Sequence, residues 1–236
     1  MAISLTFLGH SAFLISDGKH TIAIDPFLTD NPVATMKSED VTCQYIGITH
    51  GHFDHIGDSI ELAKANDACI IATFEIASFM ESQGVQKVEP ANTGGRIQTD
   101  FGWVAFTQAF HSSSYAGLSA GGTEGVYMGM PNGLMINIDG TTIYHCGDTD
   151  VFGDMALLRD IYQPEIALVP IGGRFTMDPA LAMRAVDLIK PKCAVPIHYN
   201  TWPPIEQDAN DFAPNGVHTQ RMKPGEVWDV DPALIA

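Results

Sequence analysis

Basic residues are scarce in this sequence of 236 residues. Lysine and arginine together number 12, against 28 aspartates and glutamates, which gives a formal net charge of −16. Proteins that bind nucleic acid or an anionic membrane by charge neutralisation carry a basic surface, so the sequence predicts neither partner. Charged residues are also few, at 17%, while hydrophobic residues reach 45%. That balance excludes a disordered chain.

Cysteines are equally few, and long apolar runs are lacking. The four cysteines are scattered without a Cys-x-x-Cys motif, which favours reduced thiols over a disulfide framework. No apolar run approaches the ~20 residues that span a bilayer. The opening MAISLTFLG has no basic region and no cleavage site of small residues, and it is typical of a strand. These features predict a cytoplasmic protein with a single domain over residues 1–236.

Two runs of hairpin strands, each followed by strand–helix units, organise the chain. The strands of the first run are predicted at 3–7, 12–16 and 21–24. The units that follow contain strands at 45–49 and 68–72, one helix that ends at 65 and another over 74–82. The second run is predicted at 103–110, 126–130, 134–138 and 142–145, followed by helices 154–162 and 179–189 and strands 166–171 and 193–197. A loop is expected at 112–125 and a short helix near 205–212. The pattern predicts an α/β (α+β) fold with two helix-covered sheets and two similar halves.

A dense histidine motif separates a predicted buried strand from a helix. It consists of His50, His52, Asp54 and His55 within six residues. Neutral imidazoles and carboxylates are ligands of borderline cations such as zinc. The alternatives are a solvated polar loop, or an aspartate that caps the helix beside unrelated histidines. Because so many imidazoles beside an apolar strand are otherwise poorly placed, the spacing favours a metal site.

Three further residues extend this motif. His111, Asp148 and His198 each come just after a predicted buried strand, where α/β sheets place their ligands. Taken singly, each is more typical of a hydrogen-bonded polar group at a strand end. Together with the histidine motif they supply the remaining ligands of a metal site.

These residues, in this order, resemble the metallo-β-lactamase superfamily over nearly the whole chain. The segments Leu-Gly-His10-Ser-Ala-Phe and Ile-Asp25-Pro-Phe-Leu-Thr are similar to one branch, the small metal-dependent hydrolases related to L-ascorbate-6-phosphate lactonases. Residues 171–177 and 196–203 are similar to the same branch. The resemblance implies a four-layer αββα sandwich with a two-metal site at one edge.

The resemblance also assigns a ligand to each metal position. The first ion is expected on His50, His52 and His111, the second on Asp54, His55 and His198, and Asp148 is expected to bridge them. Two divalent ions are implied, with zinc the first choice and manganese or iron open. A water bridging two dications becomes hydroxide near neutral pH and can attack a carbonyl or phosphorus, with Asp54 orienting it.

The predicted function is therefore a metal-dependent hydrolase that cleaves a small lactone, ester or phosphodiester. The positive charge of two dications exceeds the negative charge of two carboxylates and a hydroxide. The small-molecule substrate is therefore expected to be anionic. The alternatives are an RNA-processing nuclease, a β-lactamase and a non-catalytic metal-binding module. The low content of basic residues argues against the nuclease, and the flanking motifs argue against the β-lactamase. The complete ligand set argues against the non-catalytic module. A homo-oligomer is left open.

Several residues near these motifs admit two interpretations. His10 is a candidate catalytic residue, as proton donor or substrate contact, or else a turn residue bonded to the backbone. Asp25 either orients a ligand histidine or forms only a turn. Cys146 is a rival soft ligand if strand alternation continues to Asp148, but a buried apolar cysteine is favoured, and His145 is expected to face away.

Candidate substrate-binding residues follow two of the strands. Arg174 is placed to clamp a phosphate or carboxylate, unless it forms only a surface salt bridge. Tyr199 and Asn200 follow His198 and are expected to line the pocket. Trp202 either lines the pocket with them or packs before two prolines.

Overall fold

Two seven-stranded sheets lie face to face in the computed structural model, which describes residues 3–116 and 125–235. In chain order the strands are β1 (Ser4–Gly9), β2 (Ala12–Ser16), β3 (Thr21–Ile24), β4 (Tyr45–Gly47), β5 (Cys69–Thr73), β6 (Val88–Ala91), β7 (Arg96–Thr99), β8 (Gly102–Gln108), β9 (Ser114–Tyr115), β10 (Val126–Tyr127), β11 (Asn132–Ile138), β12 (Thr141–His145), β13 (Ile166–Pro170), β14 (Cys193–Ile197), β15 (His218–Thr219) and β16 (Val227–Asp229). Strands β9 and β10 form a separate small hairpin.

Six α-helices and three 3-10 turns accompany the sheets in the described residues. The helices are α1 (Phe53–Ile56), α2 (Ser59–Asn66), α3 (Phe74–Ser82), α4 (Met155–Tyr162), α5 (Pro179–Ile189) and α6 (Pro232–Ile235). The 3-10 turns are Ser38–Asp40, Pro203–Ile205 and Ala209–Asp211. Over these same residues, none of the helices combines the length and hydropathy needed to cross a bilayer.

The two sheets repeat one topology. The first has the order β16-β1-β2-β3-β4-β5-β6, in which β1 to β3 are antiparallel and β3 to β6 are parallel. The second has the order β15-β14-β13-β12-β11-β8-β7, in which β7 to β12 are antiparallel and β12 to β15 are parallel. The prediction of two similar halves is confirmed.

Three apolar layers hold the sandwich together. Between the sheets, Leu5, Ile15, Leu134 and Val195 belong to one buried cluster with residues from both sides. The outer face of the first sheet packs on α2 and α3 through residues such as Leu62, Ile76 and Met80. The outer face of the second packs on α4 and α5 through residues such as Met155, Ala182 and Val186. The predicted four-layer αββα arrangement is therefore confirmed.

Some local predictions were wrong. Strands β6 and β7 were not predicted, because their partly exposed sequences, with a proline and charged residues, lack a buried strand's pattern. The predicted helix at 205–212 is replaced by two 3-10 turns, where the Asp208 carboxylate accepts a hydrogen bond from the Asn210 N–H at 2.8 Å. The strand predicted at 126–130 ends at Tyr127, and the strand predicted at 134–138 begins two residues earlier, at Asn132. The expected loop at 112–125 contains β9, while 117–124 lie outside the described residues.

Helix α5 begins at a cap that the sequence predicts. The Asp178 Oδ1 accepts a hydrogen bond from the Leu181 N–H at 2.8 Å, and Pro179 occupies the first helical position. We expect Asp178→Ala to lower the free energy of unfolding by about 1 kcal/mol, because an N-terminal N–H loses its partner. Asp178→Ser should retain most of the stability. Urea unfolding of the three proteins checks this, and equal midpoints would show that the cap contributes nothing.

Candidate metal centre

The loops that follow the strands converge at one edge of the two sheets. They carry His10 after β1, Asp25 after β3, His50 after β4, His111 after β8, Asp148 after β12 and His198 after β14. Helix α1, which begins directly after His52, contributes Asp54 and His55. All seven predicted ligands are thus brought together, although they span about 150 residues of sequence.

The first group of candidate ligands is His50, His52 and His111. One ring nitrogen of each lies within 4.8 Å of the others, and His50 Nε2 lies 3.0 Å from His52 Nδ1. Burial is the main cause that lowers the pKa of all three, with further lowering from neighbouring histidines. They are therefore neutral near pH 7, the state in which imidazole binds a metal.

The second group contains Asp54, His55 and His198. Their ligand atoms, together with one nitrogen of His10, also lie within 4.8 Å of one another. The Asp54 Oδ2 is 3.9 Å from the Nε2 atoms of both His55 and His198. This set of two imidazoles and one carboxylate suits a divalent cation.

Asp148 lies between the two groups. Its Oδ2 is 2.9 Å from His198 Nε2 and 3.6 Å from His111 Nε2, and its Oδ1 is 3.4 Å from His55 Nε2. Its carboxylate therefore faces a member of each group. Asp148 Oδ1 and His55 Nε2 are buried and have no hydrogen-bond partner among the described residues. Buried polar atoms are rarely left without partners, so this pair fits a bound cation.

The charges of the site also favour a cation. Burial alone would lower the pKa of His55, but Asp148, Asp25 and Asp54 together raise it well above its ordinary value. Burial alone would raise the pKa of Asp148, but His198 and His55 hold it well below its usual range. The buried carboxylates therefore stay ionised and require a neighbouring positive charge. A proton on His55 meets this need in the protein alone, and a divalent ion would displace that proton.

Asp25 contacts the residues that an orienting carboxylate should contact. Its Oδ2 is 2.7 Å from His55 Nδ1, and its two oxygens accept hydrogen bonds from the N–H and the hydroxyl of Thr49. The Thr49 Oγ1 in turn lies 3.0 Å from His50 Nδ1. Because Nδ1 of each histidine is held by these contacts, Nε2 is the nitrogen that faces the other candidate ligands and would bind a metal. Thr49 was not predicted, although its place directly before His50 was a usable signal.

His10 lies behind Asp54. Its Nε2 is 3.0 Å from Asp54 Oδ2, and its Nδ1 is 2.7 Å from Thr201 Oγ1. Burial, followed by the neighbouring His198, lowers the pKa of His10 to about 4. The neutral ring can therefore donate Nε2–H to the carboxylate and accept from the threonine hydroxyl. The His10 ring thus contacts two side chains, as a positioning residue would, while the His10 carbonyl accepts a backbone hydrogen bond from the His198 N–H at 2.8 Å.

Cys146 does not lie among the candidate ligands. Gly147 adopts φ +62°, which breaks the strand alternation between Cys146 and Asp148. Cys146 packs in the apolar layer under α4 and α5, and burial raises the pKa of its thiol. The expectation of a buried apolar cysteine is confirmed. His145 contacts the backbone of Ser11 and Gly147, as a structural residue should.

A cavity of about 480 Å³ opens over the candidate ligands. Its lining consists of His52, Phe53, Asp54, His111, Ser112, Asp148, Phe175, His198, Trp202, Pro204 and Ile205. Trp202 lines the cavity, as one of the two interpretations expects. The aromatic residues Phe53 and Phe175 were not predicted. Phe53 lies between His52 and Asp54, so its place in the histidine motif was a usable signal, whereas no pattern links Phe175 to that motif.

The other predicted substrate residues lie elsewhere. Tyr199 and Asn200 border a smaller cavity of about 190 Å³ together with His10. Neither lines the main cavity in this structure, since His198 and Asn200 both adopt left-handed φ values, +55° and +58°, and the chain turns between them. Arg174 is exposed, lies outside the lining of the main cavity, and places its guanidinium carbon 5.8 Å from the centre of the Phe175 ring.

Comparison with known proteins agrees with this architecture. The family model described as "Beta-lactamase superfamily domain" matches residues 4–198. A UPF0173 metal-dependent hydrolase of Thermus thermophilus is 44% identical over 233 residues, which cover 97% of this chain and 100% of that protein. A UPF0173 metal-dependent hydrolase of Lysinibacillus sphaericus is 46% identical over 226 residues, covering 95% and 98%.

A solved structure of another metallo hydrolase has the same fold. Igni18, a metallo hydrolase from the hyperthermophilic archaeon Ignicoccus hospitalis, is 35% identical and superposes with a TM-score of 0.85, over 98% of this chain and 100% of that one. The family model covers most of the chain, and the relatives match it almost from end to end. The chain therefore belongs to the β-lactamase superfamily and, within it, to the UPF0173 metal-dependent hydrolases.

Proposed function

We propose that the protein is a dinuclear hydrolase that cleaves a small lactone, ester or phosphodiester. The ligands proposed for one ion are His50, His52 and His111, those for the other are Asp54, His55 and His198, and Asp148 bridges the two. The observation that carries this proposal is the position of Asp148, whose two oxygens lie 2.9–3.6 Å from histidines of both groups. Zinc is the preferred metal, and manganese or iron would suit the same nitrogen and oxygen ligands.

The residues of this chain would orient the attacking water and hold the catalytic carboxylate in place. Two divalent ions, when bound, supply an acidified water and polarise the oxygen of the substrate. Asp54 lines the cavity, and His55 and His10 lower its pKa, against the opposing effect of burial. Asp54 is therefore ionised and is a weak proton acceptor. This suits a carboxylate that orients the attacking water rather than one that retains its own proton. His10 holds Asp54 in place through Nε2.

The charge and size of the site suit a small reacting group. Two dications exceed the charge of the two carboxylates, which favours an anionic or electron-rich group next to the ions. A cavity of about 480 Å³ accommodates a small molecule. The net charge of −16 opposes RNA as a substrate and opposes docking on an anionic membrane. The four free cysteines suit a reducing, cytoplasmic setting, which is part of the same proposal.

Hydrolysis by defined metal forms tests this proposal. The protein would be stripped with a chelator, reloaded with Zn²⁺, Mn²⁺ or Fe²⁺, and assayed with phenyl acetate, γ-valerolactone and bis(p-nitrophenyl) phosphate. We expect at least one of these to be hydrolysed, with activity lost on chelation and restored by reloading. Activity that is insensitive to chelation would contradict the metal mechanism. No turnover by any metal form would favour a metal-binding module instead.

A further inference from the structure

We infer that the part of the substrate that does not react is an uncharged, flat and apolar group, such as an aryl ring. This inference rests on the proposed hydrolase function and concerns the wall of the 480 Å³ cavity away from the candidate ligands. That wall, called the apolar wall below, consists of Phe53, Phe175, Trp202, Pro204 and Ile205. It would pack against the body of a substrate whose reacting group faces the ions.

The polar part of the cavity has no cationic side chain left for the body of the substrate. Its members are five of the proposed metal ligands and one serine, Ser112, whose Oγ lies 3.3 Å from His52 Nε2. Among the described residues, no lysine or arginine lines the cavity. A carboxylate or phosphate on the substrate body would therefore lose its water without gaining a partner of opposite charge, which is costly.

Two aromatic rings of the apolar wall are held in place from behind. The rings of Phe53 and Trp202 have centroids 6.0 Å apart. Both pack on the buried Phe27, at 5.8 Å and 5.9 Å respectively, and Trp202 also contacts the edge of His10 at 5.0 Å. A wall fixed in this way loses little freedom when it binds a ligand, and its flat faces suit another ring.

Phe175 is the outer part of the apolar wall. Its side chain borders the cavity, yet 55% of the residue is exposed to solvent. Covering such a ring removes apolar surface from water, so an apolar ligand gains affinity there while a small polar ligand does not. Since the ring is already exposed, Phe175→Ala should change the binding surface without opening a void in the core.

The inference is tested first by binding, measured on the zinc-loaded protein by titration calorimetry. The probes are acetate, phenylacetate and malonate, each of which has at least one carboxylate. Phenylacetate carries a ring in addition, and malonate carries a second negative charge. We expect phenylacetate to bind at least about 10-fold more tightly than acetate, a factor of the size that apolar pockets achieve. Equal affinities for acetate and phenylacetate, or tighter binding of malonate than of phenylacetate, would overturn the inference.

Matched variants locate the effect. Phe175→Ala should remove much of the preference for phenylacetate and leave acetate binding unchanged, and Phe175→Leu should restore part of it. Phe74→Ala is the control, because Phe74 is 60% exposed and lies outside the cavity lining. An unchanged preference in Phe175→Ala, or an equal loss in Phe74→Ala, would contradict the assigned wall.

Kinetics separate this inference from the proposed function. Phenyl acetate and methyl acetate would be compared by kcat/KM after correction for their uncatalysed rates. A several-fold higher corrected value for the phenyl ester in the wild type, reduced in Phe175→Ala, supports the apolar wall. Hydrolysis of both esters without preference would refute the wall and leave the hydrolase intact. Absence of any hydrolysis across lactones, esters and phosphodiesters would refute the hydrolase itself.

Discussion

Asp54→Ala should lower kcat by about 10³-fold while the fold survives. The reason is that Asp54 is the ionised carboxylate that lines the cavity beside both histidine groups, and orienting a reacting water by a positioned side chain contributes on this order. The residue lies in the short helix α1 at the edge of the sheets, so its loss leaves the three apolar layers untouched. Steady-state kinetics on an ester of the panel and far-UV circular dichroism measure the two effects.

Two further variants make this result specific. Asp54→Asn keeps the shape of the side chain but removes its charge, and it should be nearly as inactive as Asp54→Ala. Asp150→Asn removes an exposed carboxylate close to Asp148 in the sequence and should retain wild-type activity. Metal content must be measured alongside, because Asp54 is also a proposed ligand. Near wild-type activity in Asp54→Ala would refute its role.

Asp148→Ala should lose at least one metal ion per chain. Its carboxylate lies within 3.6 Å of histidine nitrogens of both groups and would bind both ions, so its removal leaves the two sites short of a shared charged ligand. It also leaves the Nε2 atoms of His55 and His198 without their nearest carboxylate oxygen, while Asp25 still contacts His55 Nδ1. Elemental analysis after dialysis against metal-free buffer gives the stoichiometry directly.

The control for this experiment is Asp150→Ala, which should keep the wild-type metal content. If Asp148→Ala also keeps it, Asp148 does not bridge the ions and the proposed ligand assignment is wrong. A variant that loses all metal remains consistent with the proposal, provided that circular dichroism shows a folded chain.

Much of the fold could be predicted from local chemistry. The bounds of α3 and α5 agree with the structure, and those of α5 are marked by local signals, the Asp178 cap and the proline at 191. Strands β2 and β3 were likewise predicted at their observed positions, since a short turn separates two apolar runs. The two-sheet architecture was predicted because hairpins followed by strand–helix units occur twice.

The convergence of the seven candidate ligands could also be predicted, because each lies in the histidine motif or just after a strand. The apolar wall could be predicted only in part. Trp202 follows His198 and was a candidate for the lining, and Phe53 lies within the histidine motif, but only packing brings them and Phe175 to one cavity. Tyr199 and Asn200 lie outside the main cavity because positive φ values at His198 and Asn200 redirect the chain. Histidine and asparagine are enriched at positive φ, but the residue type alone does not show which of them will adopt it.

We propose above all that this chain holds two divalent ions at one site, with one carboxylate shared between them. The most direct test of this proposal is the metal content of the wild-type protein after loading with Zn²⁺ and removal of the excess, measured by elemental analysis against an accurate protein concentration. The two complete groups of ligands predict about two ions per chain. One ion per chain, or none, would contradict the dinuclear site.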